Sequence, residues 1–201
     1  NLPKFRAKQL QEWLWKKRAT SFDEMTSLSK EMRDLFVEHF VINAVKIHKA
    51  ERSIDGTIKY SMQLHDKNLV EGVLIPSKKR ITACIFSQVG CSLDCTFCAT
   101  GTLKLERNLD TAEIYDQVFI LNEEAVSNFG KPLSNIVFMG MGEPLLNYNN
   151  LLESVELITT DKGLGMSPKR ITVSTAGIAK MIKRLGDDEV KFNLAISLHT
   201  A

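Results

Sequence analysis

The order of apolar and polar residues predicts helices at the start of the chain. Apolar residues recur at helical spacing among charged ones over residues 3–18: Phe5, Leu10, Trp13 and Leu14. Ser21 stands three residues before Glu24 in a capping-box pattern, and Ser29 opens a similar stretch, so each predicts the start of a further short helix. We therefore expect residues 1–50 to form a small helical N-terminal domain.

The pattern then changes to one that is typical of β-strands. Asp55 and Gly56 form a turn signal, and polar and apolar residues alternate after it over 59–64. A second strand-like segment follows at 69–75. We expect residues 51–80 to contain a short β-hairpin and a linker that lead into the core.

From residue 81 onward, strand-like and helix-like segments alternate. The strand-like segments lie at 81–86, 135–139, 171–174 and 193–198, and the helical segments at about 111–128, 149–160 and 177–185. The first of these helices opens with a further capping-box pattern, Asp110 three residues before Glu113. This alternation predicts parallel βαβ units and an α/β fold, namely a partial (β/α) barrel of about four units over 81–201. Because a complete barrel of this kind needs about 250 residues, we expect the chain to be the front part of a longer enzyme.

Composition adds two expectations about where the protein works. Of its 201 residues, 44% are hydrophobic and 25% are charged, and no apolar run reaches the roughly 18 residues of a membrane span. The basic amino end has no apolar signal-peptide region, so we expect a cytoplasmic protein that does not bind a membrane.

Positive charge is unevenly distributed, although the formal net charge is only +2. The first segment is crowded with basic residues: Lys4, Arg6, Lys8, Lys16, Lys17 and Arg18. A second basic cluster consists of Lys78, Lys79 and Arg80. Such segments either contact nucleic acid or form a solvated helix face.

The four cysteines of the chain lie close together in sequence, as expected for metal or redox chemistry in a reducing compartment. Cys91, Cys95 and Cys98 have the spacing Cys-x-x-x-Cys-x-x-Cys, and three thiolates on one tight loop can hold three irons of a [4Fe–4S] cluster. The fourth iron would then be open to a chelating substrate. Two alternatives stay open, a zinc site with Cys84 as fourth ligand and a structural four-cysteine cluster.

Polar residues and glycines follow the other predicted strands. Gly142 and Glu143 come after the second barrel strand, Ser174 ends the third, and the run 197–199 ends the fourth. Because active sites of barrels form at the carboxyl ends of strands, we expect these residues to converge with the cysteine loop.

The cysteine spacing, with Phe97 before the last cysteine, resembles the radical S-adenosylmethionine (SAM) superfamily. The stretch 71–199 is similar to one family within it, the RlmN-type methyltransferases that modify carbon 2 of adenine in 23S ribosomal RNA and transfer RNA. The segments that carry this resemblance are 71–76, 84–91, 98–101, 107–109, 140–147, 170–175 and 194–199, and the opening Leu2-Pro-Lys-Phe-Arg also suits the family.

This resemblance implies cofactors and residue roles. It implies a [4Fe–4S] cluster on Cys91, Cys95 and Cys98, and SAM bound at the open iron. The implied SAM contacts are Gly142, Glu143, Ser174, Ser197, Leu198 and His199. It also implies that a methylated cysteine carries the methyl group, that Glu71 accepts a proton, and that Cys84 is the second cysteine, which releases the product by forming a disulfide.

The resemblance implies partners as well. These are 23S ribosomal RNA, transfer RNA as a further substrate, and an electron donor such as flavodoxin or ferredoxin; a monomer is expected. The methyl-carrying cysteine would lie beyond Ala201, so we expect this chain alone to be inactive on RNA. The alternatives are a carbon-8 methyltransferase of the related Cfr type, another radical SAM enzyme, or an RNA-binding protein with a structural iron–sulfur or zinc site.

Overall fold

The structure is a computed structural model that describes residues 3–198. The chain begins with a helical lobe in which α1 (Lys4–Gln11) continues into a π-helical turn (Glu12–Lys16), followed by a 3₁₀ turn (Phe22–Glu24) and α2 (Lys30–His39). The lobe has a small core of its own, made of Ala19, Phe22, Met25, Leu28 and Phe36.

One seven-stranded sheet forms the rest of the scaffold. In chain order its strands are β1 (Lys46–Arg52), β2 (Ile58–Gln63), β3 (Leu69–Pro76), β4 (Ile81–Cys84), β7 (Asn135–Phe138), β8 (Ile171–Thr175) and β9 (Asn193–Ile196). Strands β1 to β4 pair antiparallel, and β4, β7, β8 and β9 pair parallel. A small ribbon of β5 (Gln88–Val89) and β6 (Arg107–Asn108) stands apart from this sheet.

Three helices connect the parallel strands: α3 (Thr111–Phe129), α4 (Tyr148–Thr159) and α5 (Ala179–Asp187). The sheet residues of the shared hydrophobic core alternate with less buried ones, as in Ile136 and Phe138 against Val137. The face without helices is the concave face of an open barrel. The predicted α/β fold and partial barrel are therefore confirmed, with three complete strand–helix units and a fourth strand in the described residues.

Some local expectations differ from the structure. The hairpin over 59–75 is present as β2 and β3, but the sequence did not predict β1, because every residue of this edge strand is exposed and no apolar alternation marks it. The capping box at Ser21 opens only the 3₁₀ turn, although the one at Asp110 does begin a long helix. The division into domains at residues 50 and 80 stays a prediction.

The helical lobe is attached to the barrel through half-buried polar contacts with α3. Asp116 accepts hydrogen bonds from Arg18 Nε at 3.2 Å and from the backbone N–H of Val45 at 2.9 Å. Burial raises the pKa of Asp116, although the Arg18 charge opposes this shift. These contacts place the lobe beside the amino end of α3, on the side where the parallel strands end. No helix among residues 3–198 is long and apolar enough to cross a membrane.

The strand register aligns one residue from each strand of the sheet across its concave face. The row consists of Glu51, Lys59, Val73, Cys84, Val137, Thr172 and Asn193. Since residues two positions apart in a strand share a face, Glu71 and Ser174 also belong to this concave face.

Candidate functional site

The ribbon β5–β6 holds the two ends of the cysteine loop together. Gln88 is buried, and its Nε2 donates to Asn108 Oδ1 at 2.7 Å across the ribbon. Gly90 follows with φ +77°, and a Cβ there would lie 2.0 Å from the Lys104 carbonyl oxygen. Only glycine therefore permits this close approach of the two sides of the loop.

Arg107 fixes the same ribbon to two neighbouring elements. Its guanidinium forms two hydrogen bonds with the buried Glu113, at 2.7 and 2.8 Å, and its Nε donates to Asp66 Oδ2 at 2.6 Å. The hydrogen bond from Arg107 lowers the pKa of Asp66 to about 2. The base of the cysteine loop is thus tied both to α3 and to the β2–β3 turn.

The three cysteines of the loop line one cavity, and their arrangement fits a cluster. Cys98 N–H donates to the Cys95 carbonyl at 3.0 Å, and a Cβ at Gly101 would lie 2.5 Å from that same oxygen, so the loop is tightly folded. Leu93 N–H donates to Cys91 Sγ at 3.4 Å. Backbone N–H groups that point at cysteine sulfur stabilise thiolates, which are the ligands that iron–sulfur clusters require.

The arrangement fits a single metal ion less well. Among residues 3–198, no three His, Cys, Asp or Glu side chains converge in a way that could hold one ion. In a [4Fe–4S] cluster each cysteine binds a different iron, so the thiolates need not meet at one point. Cys84 does not line the cavity that the other three share, which argues against a zinc site with Cys84 as its fourth ligand.

The loop after β7 brings Gly142 and Glu143 to the same cavity. Gly142 has φ +92° and packs against Gln88, whose Oε1 accepts the Glu143 N–H at 2.8 Å. The buried Glu143 carboxylate accepts the N–H of Leu145 at 3.1 Å through Oε1 and the N–H of Ala176 at 2.8 Å through Oε2. Glu143 therefore joins the loops after β7 and β8, and its remaining lone pairs can accept hydrogen bonds from an ammonium group.

Ser174 and Ser197 complete the wall of this cavity. Ser174 Oγ and Ser197 Oγ are 3.1 Å apart, on adjacent strand ends. The cavity has a volume of about 370 Å³ and joins the predicted residues Cys91, Cys95, Cys98, Gly142, Glu143, Ser174 and Ser197. Seven of the predicted site residues thus surround one space at the carboxyl ends of the parallel strands.

Other predicted residues lie outside this cavity. Cys84 stands beside it, because its thiol accepts a hydrogen bond from the backbone of Met139, a residue of the cavity wall. Burial raises the pKa of Cys84. Glu71 lies further along the concave face and forms an ion pair with Lys59 Nζ at 3.1 Å. Leu198 is exposed and is not part of the cavity wall, and His199 lies outside the described residues.

Two polar residues that the sequence pattern did not single out, Gln88 and Asn147, support the site from outside the cavity. Gln88 positions both the cysteine loop and Glu143, and Asn147 donates from Nδ2 to the carbonyls of Ser87 and Leu109 at 2.8 and 2.7 Å. One feature of the sequence could have identified them: each is a polar residue next to apolar ones. Such a residue is buried only when its hydrogen bonds are satisfied, so it is expected to hold neighbouring segments together.

Fold and cavity together define an open (β/α) barrel with a three-thiol site at its carboxyl edge. The model of the radical SAM superfamily matches residues 85–200, which is more than half of the chain. The chain belongs to the radical SAM superfamily, and this membership implies a [4Fe–4S] cluster and SAM as cofactors. The model of the ribosomal RNA large subunit methyltransferase N-terminal domain matches residues 2–42.

Curated relatives and a solved structure agree with this assignment. "Probable dual-specificity RNA methyltransferase RlmN" of Flavobacterium psychrophilum is 60% identical over 98% of this chain and 57% of the relative. "Dual-specificity RNA methyltransferase RlmN" of Nitratidesulfovibrio vulgaris is 48% identical over 98% of this chain and 56% of the relative. A radical SAM methyltransferase from Sphaerobacter thermophilus superposes with a TM-score of 0.88 at 36% identity, covering 98% of this chain and 58% of that structure. The chain thus spans a little over half the length of the relatives it matches.

Proposed function

We propose that this chain is the N-terminal part of an RlmN-type enzyme that methylates carbon 2 of an adenine in 23S ribosomal RNA and in transfer RNA. Two kinds of similarity support this assignment. The relatives that match almost the whole chain are named RNA methyltransferases, and the helical lobe matches a domain model of ribosomal RNA methyltransferases. The proposal includes a segment beyond Ala201 that supplies the methyl-carrying cysteine.

One structural observation carries the proposal. The three cysteines of the loop share a cavity with Gly142, Glu143 and the serines that end β8 and β9. A ligand that chelates an open iron with an amino and a carboxylate group needs hydrogen-bonding groups within a few ångströms of the cluster, and this wall offers carboxylate, hydroxyl and backbone groups. When bound, the cluster and SAM supply a 5′-deoxyadenosyl radical.

The residues of the cavity wall would each contribute to SAM binding. Cys91, Cys95 and Cys98 hold the cluster, while the loop at Gly142 and Glu143 orients the methionine amino group. Ser174 and Ser197 supply hydroxyls at the two neighbouring strand ends. Glu143 also joins the loops after β7 and β8, so it would bind the ligand and hold these two loops of the cavity wall together.

Glu71 and Cys84 would act on the RNA after carbon–carbon bond formation. Both belong to the concave face, on adjacent strands β3 and β4, and Val73 lies opposite Cys84. In the proposed reaction, Glu71 takes the proton from the substituted ring carbon of the covalent adduct. The Cys84 thiolate attacks the sulfur of the methyl-carrying cysteine, so a disulfide forms as the carbon–sulfur bond to the product breaks. The electron pair of that bond stays with the product, whose methylene carbon takes up a proton to become the methyl group. Cys84 is half-buried on the open face, so an approaching cysteine could reach its thiol from that side.

The helical lobe would bind the RNA backbone. Its exposed lysines, including Lys4, Lys8 and Lys16, lie on the segment attached beside the amino end of α3, close to the cavity side of the barrel. Phosphate contacts of this kind position an RNA without reading its sequence. We further infer a monomer in the cytoplasm that is reduced by a flavodoxin or a ferredoxin.

The proposal is tested with the full-length protein that carries this sequence. The cluster is reconstituted without oxygen, and the enzyme is given SAM, reductant and either a 23S ribosomal RNA fragment or a transfer RNA. Mass spectrometry of the digested RNA should show 2-methyladenosine in the wild type and none in Cys95→Ala. Methylation at carbon 8, or RNA binding with no methylation, would refute the carbon-2 assignment. The isolated 201-residue chain should give no methylated RNA.

A further inference from the structure

A ladder of alternating charges crosses the antiparallel part of the concave face. Lys49 Nζ lies 2.6 Å from Glu51 Oε1, Lys59 Nζ lies 3.9 Å from Glu51 Oε2, and Lys59 Nζ lies 3.1 Å from Glu71 Oε1. These four residues and Ser61 line a groove of about 130 Å³ that begins at the outer edge of the sheet. The ladder ends at Glu71 on β3, the strand that pairs with the Cys84 strand β4.

The strand register sets the direction of this ladder. Lys59 pairs with Val73, and Val73 pairs with Cys84, so all three lie in one line across β2, β3 and β4. Glu71 is diagonal to Lys59, a position from which long side chains meet across a strand pair. Among the described residues, Lys59 is the one cation within ion-pair distance of Glu71.

Stability does not explain this ion pair well. The side chains of Lys59 and Glu71 are 46% and 44% exposed, and exposed pairs of this kind contribute little to the free energy of unfolding. The hydrogen bond and the charge of Glu71 raise the pKa of Lys59, as expected when a carboxylate stabilises the ammonium form. A fixed ion-pair partner does help a carboxylate that must approach its substrate in one orientation. Misplacement of a reacting group by about an ångström slows a reaction.

We propose that Lys59 is a positioning residue for Glu71: it holds the carboxylate on the open face, on the strand next to the one that carries Cys84, where the RNA enters. This inference rests on the proposed function of Glu71 as proton acceptor. Lys59 forms no covalent bond in the reaction and keeps its own proton, so its effect is purely electrostatic and geometric. Glu51 on the far side of Lys59 limits the ways in which the ammonium can turn.

The test compares variants of the full-length enzyme at saturating RNA. The variants are Glu71→Gln, Lys59→Met, Lys59→Arg, the double variant Lys59→Met with Glu71→Gln, and Lys49→Met as a matched control. Lys49 belongs to the same ladder, but among the ion pairs of residues 3–198 it is paired with Glu51 and not with Glu71. Three quantities are measured at saturating RNA: release of methylated RNA, covalent enzyme–RNA adduct on a denaturing gel, and 5′-deoxyadenosine formation. KM for RNA is measured separately, at several salt concentrations.

Lys59→Met should slow release of methylated RNA roughly 10- to 100-fold and should accumulate the adduct, with little change in 5′-deoxyadenosine formation. Lys59→Arg should restore most of the release rate, Lys49→Met should resemble the wild type, and the double variant should be no slower than Glu71→Gln. If Lys59→Met instead raises KM for RNA and lowers its salt dependence, Lys59 binds phosphate and the inference is wrong.

Comparing Glu71→Gln with Lys59→Met separates an error about Lys59 from an error about the proposed function of Glu71. If Glu71→Gln releases product at the wild-type rate, the proposed role of Glu71 as proton acceptor is refuted. If Glu71→Gln accumulates adduct while Lys59→Met does not, Glu71 keeps its role and the positioning role of Lys59 is refuted. Circular dichroism and urea unfolding of each variant exclude a folding defect as the cause.

Discussion

Ser174 Oγ and Ser197 Oγ lie 3.1 Å apart, linking the carboxyl ends of β8 and β9 beside the cysteine loop. The backbone N–H of Ser197 also donates to the carbonyl of Thr175 at 2.9 Å, so the chain after β9 stays paired with β8. The two hydroxyls therefore face the cavity together. A similar link joins β7 to β8 through Glu143, and together these contacts make the cavity wall one connected structure.

Glu143 is the residue of this wall whose change should have the largest effect on SAM binding. In Glu143→Gln the charge is lost, and an amide oxygen can replace only one of the two acceptors that now bind Leu145 and Ala176. We expect the Kd for SAM to rise at least about tenfold and the free energy of unfolding to fall by about 1–3 kcal/mol. Equilibrium dialysis of the reconstituted protein under anaerobic conditions measures the first quantity, and urea unfolding the second.

A surface carboxylate serves as the control for this variant. Glu189 is exposed, follows α5 and does not line the cavity, and Glu189→Gln should leave both quantities unchanged. If Glu143→Gln binds SAM as the wild type does, Glu143 has a purely structural role, and its assignment as a SAM contact is wrong.

Two glycines should respond in opposite ways to alanine substitution. At Gly140 a Cβ would lie 1.6 Å from the nearest ring atom of Phe86, whereas at Gly186 in α5 nothing lies within 4 Å. Gly140→Ala should therefore reduce the free energy of unfolding by about 1–3 kcal/mol through overpacking. Gly186→Ala should increase it by about 0.5–1 kcal/mol, because alanine is the better helix former. Urea unfolding of both variants checks this pair, and equal effects would contradict the packing around Gly140.

The ion pair of Asp66 with Arg107 should make stability depend on acid pH. Because the pKa of Asp66 is about 2 in the folded protein, below its ordinary value of 3.8, this contribution is complete above about pH 4 and is lost as the pH falls toward 2. Asp66→Asn should lower the free energy of unfolding at pH 7 by up to about 1 kcal/mol, a value limited by solvent screening. The difference from the wild type should shrink below pH 4.

Asp55 provides a matched control for this prediction. Its Oδ1 accepts the N–H of Thr57 at 3.0 Å, as Asp66 Oδ1 accepts the N–H of Asn68 at 3.0 Å, but the salt bridges of the described residues include none to Asp55. Urea titrations at several pH values compare the two variants. If Asp55→Asn shows the same pH dependence as Asp66→Asn, the turn geometry rather than Arg107 is responsible.

Cys84 should react slowly with alkylating reagents in the folded protein. Burial raises the pKa of its thiol, so less thiolate is present at pH 8 than in the unfolded chain. In a variant with Cys91, Cys95 and Cys98 replaced by serine, iodoacetamide should modify Cys84 at least several-fold more slowly in buffer than in urea. The rate in buffer should continue to rise above pH 9. Mass spectrometry follows the reaction, and equal rates in both solvents would contradict the half-buried position of the thiol.

The sequence predicted those parts of the structure that local patterns determine. The parallel strands have apolar runs of recognisable length, and the spacing of Cys91, Cys95 and Cys98 lies within one short loop. The capping box at Asp110 was also visible, since its two partners are three residues apart. In each case the residues that determine the feature are neighbours in sequence.

Features that depend on strand register were not predictable in this way. Nothing in the segment around Lys59 indicates that its side chain meets Glu71, because that contact exists only when β2 and β3 pair in the observed register. Gln88 likewise gains its role from Asn108 and Glu143, which are distant in sequence. Strand β1 lacks an apolar face because it lies at the sheet edge, so periodicity could not identify it.

The central claim is that the cysteine loop holds a [4Fe–4S] cluster whose open iron binds SAM in the neighbouring cavity. The most direct measurement is electron paramagnetic resonance of the reduced protein after anaerobic reconstitution with iron and sulfide, with and without SAM. We predict a [4Fe–4S] signal that shifts when SAM is added and is lost in Cys95→Ala but kept in Cys84→Ala. Zinc bound at one ion per chain, or a cluster that requires Cys84 and does not respond to SAM, would contradict the account.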